Sequence, residues 1–421
     1  MYVEKLTMKD FRCFEQAEVS FVYPGKEGLP EEALNNVILL MGENGAGKTS
    51  VLKGVALAML SPIIFSMGYA PYSLVRRTPG SSRKRNSAIK VAGPIRPELH
   101  DRYLRLRQPE CIPSRLQVEL RQEDAETYRD SFVSQEIGSN EALDTGYHKD
   151  DSTDVFLLGY GATRRAEYLE NLDSQRSRRR HPRFQRVAGL FEDYITLYPL
   201  PAWYPTLESK PRQKEVHDLL NSLLPDGTEF TGEFKDADGL FKHNGVKLPF
   251  GAMSDGFRSS IGLVADMLYH LNYVCPKKSK LTELSGVVMI DDIDVHLHPK
   301  WQREVVPKLA GTFPKLQFII TSHSPLVAGT LHAANIRVVE DNQIHEYTGR
   351  IHGLSADQIL TSSYFGLDTS RSAGAVEKLN RIAERVADEG DPSAAIDFLN
   401  ELAGTTNGHH AKKTKKPRKK K

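Results

Sequence analysis

The chain has 421 residues, enough for two or three packed units or one large domain carrying insertions. Its net charge of +2 is uneven: residues 411–421 hold eight Lys and Arg and no acid, which leaves 48 bases against 54 acids, or −6, in residues 1–410. Three scattered cysteines, Cys13, Cys111 and Cys275, form no CxxC pair, which argues against a disulfide framework or a cysteine zinc site and for a reducing, cytoplasmic setting. The most apolar window, Val51–Met67, is interrupted by Lys53, Gly54 and Pro62, and no secretory leader pattern opens the chain, so no membrane association is expected.

Val3–Phe11 and Ala17–Val22 alternate like half-buried strands and predict a hairpin, with Arg12 at its bend. Val37–Met41 is a fully apolar strand that runs into Gly42-Glu43-Asn44-Gly45-Ala46-Gly47-Lys48-Thr49, and Ser50–Met59 has helical spacing. Strand, glycine loop and helix in that order define a P-loop. Glycines let successive N–H groups converge on a phosphate, and the helix start adds its positive end. Lys48 is placed to reach the β- and γ-phosphates of ATP and Thr49 to ligate Mg²⁺, with residues 42–50, through Ser50, forming the nucleotide cradle.

Residues 61–115, with the basic cluster Arg76, Arg77, Arg83, Lys84, Arg85 and Lys90, predict an inserted, partly irregular lobe. Arg115–Leu120 reads as a strand, and the acid-rich 121–154 as a loop. Asp154–Gly161 is a buried strand entering a glycine turn, followed by Arg164 and Arg165. From 164 to 186 there are eight arginines against three acids, a candidate nucleic-acid or partner surface or else a solvated helix face. Phe191–Trp203 predicts a packed helix end and a proline-rich turn, 213–224 a helix, and Glu229–Leu248 a hairpin around Asp-Gly and Asn-Gly.

Met253-Ser254-Asp255-Gly256-Phe257-Arg258 then opens a helix with an apolar stripe (Ile261, Val264, Leu268, Leu271), a second anion cradle at a helix start. Val287–Ile290 is a buried strand that ends in Asp291 and Asp292, two charges that are costly at a strand tip unless a cation meets them. His296 and His298 lack the further ligands of a transition-metal site. Leu316–Thr321 is another buried strand that ends at His323; at the carboxyl end of a strand beside those carrying the phosphate loop and acid pair, this histidine is placed to sense a γ-phosphate, whereas taken alone it would read as a core residue. A hairpin (Ile336–Tyr347), helices at Ser372–Glu389 and Pro392–Ala403, and a basic tail (Lys412 to Lys421) able to touch polyanions complete the chain.

These four stations in this order resemble the ABC-class P-loop ATPases of the RecF, SMC and OLD branch. The resemblance includes Lys9-Asp10-Phe11-Arg12-Cys13-Phe14, the Met-Ser-Asp-Gly-Phe-Arg signature and Ile290-Asp291-Asp292-Ile293-Asp294-Val295-His296-Leu297-His298-Pro299. It implies an α/β fold: an ABC-type ATPase head with a mixed central sheet, an inserted helical or irregular lobe and a C-terminal helical region. The corresponding divisions are 1–60, 61–250 (basic 76–90, acidic 121–154, Arg-rich 164–186), 251–345, 346–405 and a disordered tail at 406–421.

The same resemblance implies a head-to-tail homodimer, or a higher homo-oligomer, with two ATP molecules between subunits. Lys48, Thr49 and Arg12 would serve the nucleotide in cis, Asp291 and Thr49 the Mg²⁺, and Ser254 and Gly256 the γ-phosphate of the other subunit. Asp292 and His323 would be the catalytic pair, and His298 would lie near the loop that crosses the dimer. The glutamine loop falls at Gln117 or Gln122. Asp292 departs from the usual Glu, and withdrawal of the carboxylate by about 1 Å predicts roughly hundredfold slower hydrolysis. Compact relatives with this acid-pair run resemble Septu-type and PARIS-type anti-phage ATPases, which implies a separate effector nuclease. A RecF-like repair ATPase that holds DNA itself is the alternative. A transporter subunit is a weaker one.

Overall fold

The computed structural model describes residues 1–77, 84–95, 112–123, 127–137, 155–166, 180–236 and 238–389, together with Ile396 and Leu399. Arg83, Cys111, most of the acid-rich stretch, the middle of the arginine run, the Pro392–Ala403 helix apart from Ile396 and Leu399, and the basic tail lie outside the described residues. Residues 1–359 with 363–365 form one compact unit. Residues 360–362 with 366–421 form a second, whose main described element is a helix at Ala373–Glu389.

In chain order the first unit contains β1 (Lys5–Phe11), β2 (Phe14–Ser20), β3 (Val37–Met41), α1 (Lys48–Met59), β4 (Asn86–Ile95), β5 (Ile112–Gln122), β6 (Asp130–Ile137) and β7 (Leu157–Tyr160). The short strands β8 (Arg165–Ala166) and β9 (Thr196–Leu197) precede α2 (Lys210–Leu223) and the hairpin strands β10 (Thr228–Lys235), β11 (Asp238–His243) and β12 (Val246–Pro249). Then come α3 (Asp255–Val274), β13 (Gly286–Ile290), α4 (Val305–Thr312), β14 (Leu316–Thr321), β15 (Ile336–Glu340) and β16 (Gln343–His345).

The central sheet has the order β16-β15-β3-β14-β13-β7, parallel throughout except for β16 at one edge. Every residue of β3, β13 and β14 is buried. Such strands must be covered on both faces, which is why they read as unbroken apolar runs. Alternate residues feed two cores. Leu39, Ile290 and Phe318 pack with α2, α3 and α4, while Ile38, Met289 and Ile319 pack with α1.

A second, antiparallel sheet, β2-β1-β4-β5-β6, covers the other side of α1. Enclosed between two sheets, α1 is apolar around nearly its whole circumference, and each buried Val or Leu contributes about 1.5–3 kcal/mol. The chain after α1 is therefore more ordered than its composition suggests. Asn86–Ile95 is a strand paired with β1, and Asp130–Ile137 is a strand within the stretch read from sequence as a loop. β4 pairs with β1, which is distant in the chain, whereas β6 pairs as a hairpin with the preceding β5, and the acidic composition of that stretch masked it. The Asn-Gly hairpin is present between β11 and β12, with Asn244 and Gly245 at φ 49° and 86°. Among the described residues no helix is long and apolar enough to cross a membrane.

Candidate nucleotide site

Because β3, β7, β13 and β14 run parallel, their carboxyl ends collect at one edge of the sheet. Register then sets the neighbours. Ile290 pairs with both Ile320 and Tyr160, and Thr321 pairs with Leu40. The next residues of each strand are the phosphate loop, the acid pair, the histidine segment and the Gly161–Arg164 turn.

Gly42, Gly45 and Gly47 have φ of 141°, 83° and 116°. A Cβ at Gly42 would lie 2.1 Å from the Val339 carbonyl oxygen, and one at Gly47 would lie 2.6 Å from Cys13 Sγ. Glycine is thus required at both positions by conformation and by space. Glu43, Asn44 and Gly45 form the exposed rim, while Ser50 is buried at the base of α1. Lys48 Nζ donates to the carbonyls of Gly42 and Glu43, each at 2.9 Å. Burial lowers its pKa, opposed by the charges of Asp292, Asp291 and Asp294.

Thr49 Oγ1 donates to Asp291 Oδ2 at 2.7 Å, and Thr321 Oγ1 donates to Asp291 Oδ1 at 2.7 Å. The Thr321 hydroxyl also accepts the Asp292 N–H at 2.7 Å. Asp292 stands in the left-handed region at φ 45°. That backbone is held from the other side by Arg164, whose guanidinium donates to the carbonyls of Asp291 (2.6 Å) and Asp292 (2.8 Å). Burial, then the neighbouring Asp291 charge, raises the Asp292 pKa. His323 Nε2 lies 3.9 Å from Asp292 Oδ1. Its backbone N–H donates to Asp294 Oδ1 (3.3 Å), which also accepts from Ser322 Oγ at 2.5 Å.

Ser254 caps α3 with its main chain only and leaves its side chain exposed, without a capping bond. A Cβ at Gly256 would lie 2.6 Å from the His296 carbonyl oxygen, so the signature turn packs directly on the segment after the acid pair. No hydrogen bond among the described residues joins Ser254 or Gly256 to the 42–49 loop of the same chain. His298 caps the short turn Pro299–Gln302, where Nδ1 accepts from the Lys300 N–H. Arg12 sits at φ 50° between β1 and β2, and its N–H donates to Leu74 O at 2.8 Å. Close by, burial and the Arg12 charge push Lys53, one turn beyond Thr49, down to about 8.

Arg164, Thr321, Asp294 and Lys53 were not singled out from sequence as site residues. For Arg164 the signal was the Gly-Tyr-Gly turn after a buried strand, which marks a fourth strand tip. Gln117 and Gln122 are both in β5 of the antiparallel sheet, with Gln117 Nε2 donating to Glu119 at 2.9 Å. The segment at the tip next to β13 is Gly161–Arg164 instead.

Where it is described, most of the arginine run is engaged within the chain. Arg164, Arg183 and Arg186 are buried, Arg183 donates to Val155 O, and Arg180 pairs with Glu192. Only Arg165 of the described five is exposed.

The donor set suits a magnesium–nucleotide complex. A hydroxyl and a carboxylate oxygen in contact, beside a second carboxylate whose pKa is raised by burial and by the first, match a hard cation that takes one or two protein oxygens and fills its shell with phosphates and water. Among the described residues no group of three or more His, Cys, Asp or Glu could hold a metal by itself.

A parallel sheet that gathers a P-loop, an acid pair and a histidine at one edge, with a signature helix on one face, defines a P-loop ATPase head of the ABC type. Residues 37–329 match the family described as "AAA domain, putative AbiEii toxin, Type IV TA system", and residues 5–63 match a second AAA-domain family. The chain belongs to the first of these families.

The chain is 26% identical over 381 residues to the Septu protein PtuA of Bacillus mycoides, covering 87% of this chain and 45% of that protein. It is 31% identical over 149 residues to the retron Ec83 probable ATPase of Escherichia coli, covering 35% and 28% respectively. The chain thus spans less than half the length of these relatives. A likeness to the SMC head domain from Thermotoga maritima covers 82% of this chain and 99% of that one, with 11% identity and a TM-score of 0.43.

Proposed function

We propose that the chain binds and hydrolyses ATP with Mg²⁺ as a head-to-tail dimer, and that its nucleotide state controls a separate effector, a nuclease of anti-phage defence. The observation that carries the enzymatic part is the contact of Thr49, Asp291, Thr321 and Asp292 at the mouth of the glycine loop. The defence role rests on likeness to proteins named for Septu and retron systems.

In this reading the loop amides and Lys48 bind the phosphates, with Lys48 exchanging its two loop carbonyls for phosphate oxygens. Thr49 and Asp291 would hold Mg²⁺, which when bound supplies charge neutralisation at the phosphates. Asp292 orients and deprotonates the attacking water, and His323 contacts the γ-phosphate. Arg164 fixes the main chain of both acids, so that neither can turn away. Arg12 approaches the nucleotide from the β1–β2 bend. Ser254, exposed, and Gly256, neither hydrogen-bonded to their own loop, serve the opposing subunit. Asp in place of Glu at 292 leaves the carboxylate short of the water, and turnover is slow. A direct DNA grip through the arginine run draws no support from Arg164, Arg180, Arg183 and Arg186, which are engaged within the chain.

Subunit mixing tests the shared site. Lys48→Ala should lose nucleotide capture, and Ser254→Arg should keep capture but lose turnover. Mixed, they should recover about a quarter of parental turnover, because half the dimers then hold one intact site. Absence of recovery, with each variant folded and behaving as stated alone, would sink the sandwich.

A further inference from the structure

One buried polar chain joins helix α3 to the edge of the sheet that bears the acids. Asp266 lies three turns into α3 and is only 4% exposed. Its carboxylate accepts from Tyr160 Oη–H at 2.7 Å and from the Tyr198 N–H at 2.6 Å, with His270 Nε2 at 3.5 Å. Tyr160 is the last residue of β7, and its carbonyl accepts the Asp291 N–H at 2.8 Å. Four residues on, Arg164 holds the carbonyls of Asp291 and Asp292. The main chain of the acid pair is therefore tied on both its N–H and C=O sides to segment 160–164. The Tyr160 phenol ties that segment in turn to the signature helix by its hydrogen bond to Asp266.

Tyr160 belongs to the same apolar core as Phe156, Leu158, Leu200 and Trp203, with His270 beside Asp266 and the Arg186 charge near His270. An apolar pair would pack there without the desolvation cost of a carboxylate and a phenol. What the polar pair adds is direction, a bond made only at one axial position of α3. Burial keeps the phenol protonated, pushed well above its ordinary range, and burial lowers His270, so the donor to Asp266 is fixed.

We propose that Tyr160 and Asp266 are positioning residues that couple the signature helix to the acid pair, so that docking of the helix tip against an opposing nucleotide is transmitted to the backbone of Asp291 and Asp292. The tip and Asp266 are about 16 Å apart along a rigid helix. Energetic coupling travels through such packed elements when a discrete contact can make or break. The inference rests on the sandwich dimer proposed above.

Tyr160→Phe removes one oxygen and keeps the ring, the strand and the carbonyl that receives Asp291. Its expected profile is nucleotide binding by the lone subunit and ATP-dependent dimerisation close to parent, with a melting temperature lower by a few degrees because buried Asp266 loses one donor. Its kcat falls about tenfold with little change in KM, the size of effect that coupling networks carry. Parental kcat in this variant overturns the coupling. So does a parallel fall in nucleotide binding, dimerisation and kcat, which marks a purely structural bond.

If Tyr160→Phe does not fold, Asp266→Asn carries the same expectations, and failure of both to fold also overturns it. The parent is measured alongside by sedimentation with and without MgATP. If the parent forms no ATP-dependent dimer, the sandwich itself fails. If it does form one, the Tyr160→Phe result judges the coupling alone.

Discussion

Thr49, at the start of α1, and Asp291, just past β13, are 242 residues apart in the chain, yet the hydroxyl of one donates to the carboxylate of the other across 2.7 Å. The pair marks where the phosphate loop and the acid strand close on one site, and it gives the first prediction. Asp291→Asn should reduce MgATP turnover by a hundredfold or more, on the order of the charge stabilisation a bound cation supplies. The melting temperature without nucleotide should barely move, because Asn still accepts from Thr49 or Thr321. Stabilisation by MgATP in a thermal melt should disappear. Retained MgATP stabilisation would remove Asp291 from the cation site.

Asp292→Glu extends the carboxylate by one methylene toward the water. It should raise kcat at least tenfold in a steady-state phosphate-release assay, since misplacement of about 1 Å can cost roughly a hundredfold. Equal or lower turnover would show that the site is built around the shorter side chain.

Gly42→Ala should abolish nucleotide binding and lower stability by about 2–4 kcal/mol. Its Cβ would meet the Val339 carbonyl oxygen at 2.1 Å, at a φ of 141° that side chains avoid. Gly45→Ala has open space at its Cβ and only the φ of 83° to overcome, so it should cost about 1–2 kcal/mol. Chemical denaturation of the two variants side by side checks the ranking.

Arg164→Lys replaces a fork that reaches two carbonyls with a single ammonium. It should lower turnover about tenfold or more and destabilise by about 2–4 kcal/mol, because a buried acceptor loses its donor and a charge is left poorly paired. Turnover and denaturant midpoint within error of the parent would show that the fork is not needed.

Lys53 predicts a pH signature of stability. Its pKa is lowered to about 8 in the fold from an ordinary 10.5, so the folded protein holds the proton less tightly than the unfolded chain. The cost to stability is then complete below about 8 and is relieved as pH rises toward 10.5. Lys53→Met should be more stable than the parent by about 1–3 kcal/mol at pH 7, with the gain shrinking above pH 8. Melting curves of both proteins at pH 7 and pH 9.5 read the difference. A gain independent of pH would assign it to packing instead.

The glycine loop, the acid pair, the histidine strand end and the signature turn were all legible in the sequence, because each depends on local chemistry. Positive φ needs glycine, central parallel strands need unbroken apolar runs, and a helix start needs a small polar cap. The partners of those residues were not legible. Arg164 lies in an arginine run that looks like surface, and Thr321 lies inside an apolar strand. Only register and parallel pairing reveal that one holds the backbone of the acids and the other donates its hydroxyl proton in a hydrogen bond to Asp291. Likewise β4 takes its order from β1 at the far N-terminal end of the chain, and Tyr160 meets Asp266 only because β7 and α3 pack together. Short-range sterics and solvation are written residue by residue. Contacts between segments hundreds of residues apart arise from the way the sheets and helices exclude water together, and the folded chain alone decides them.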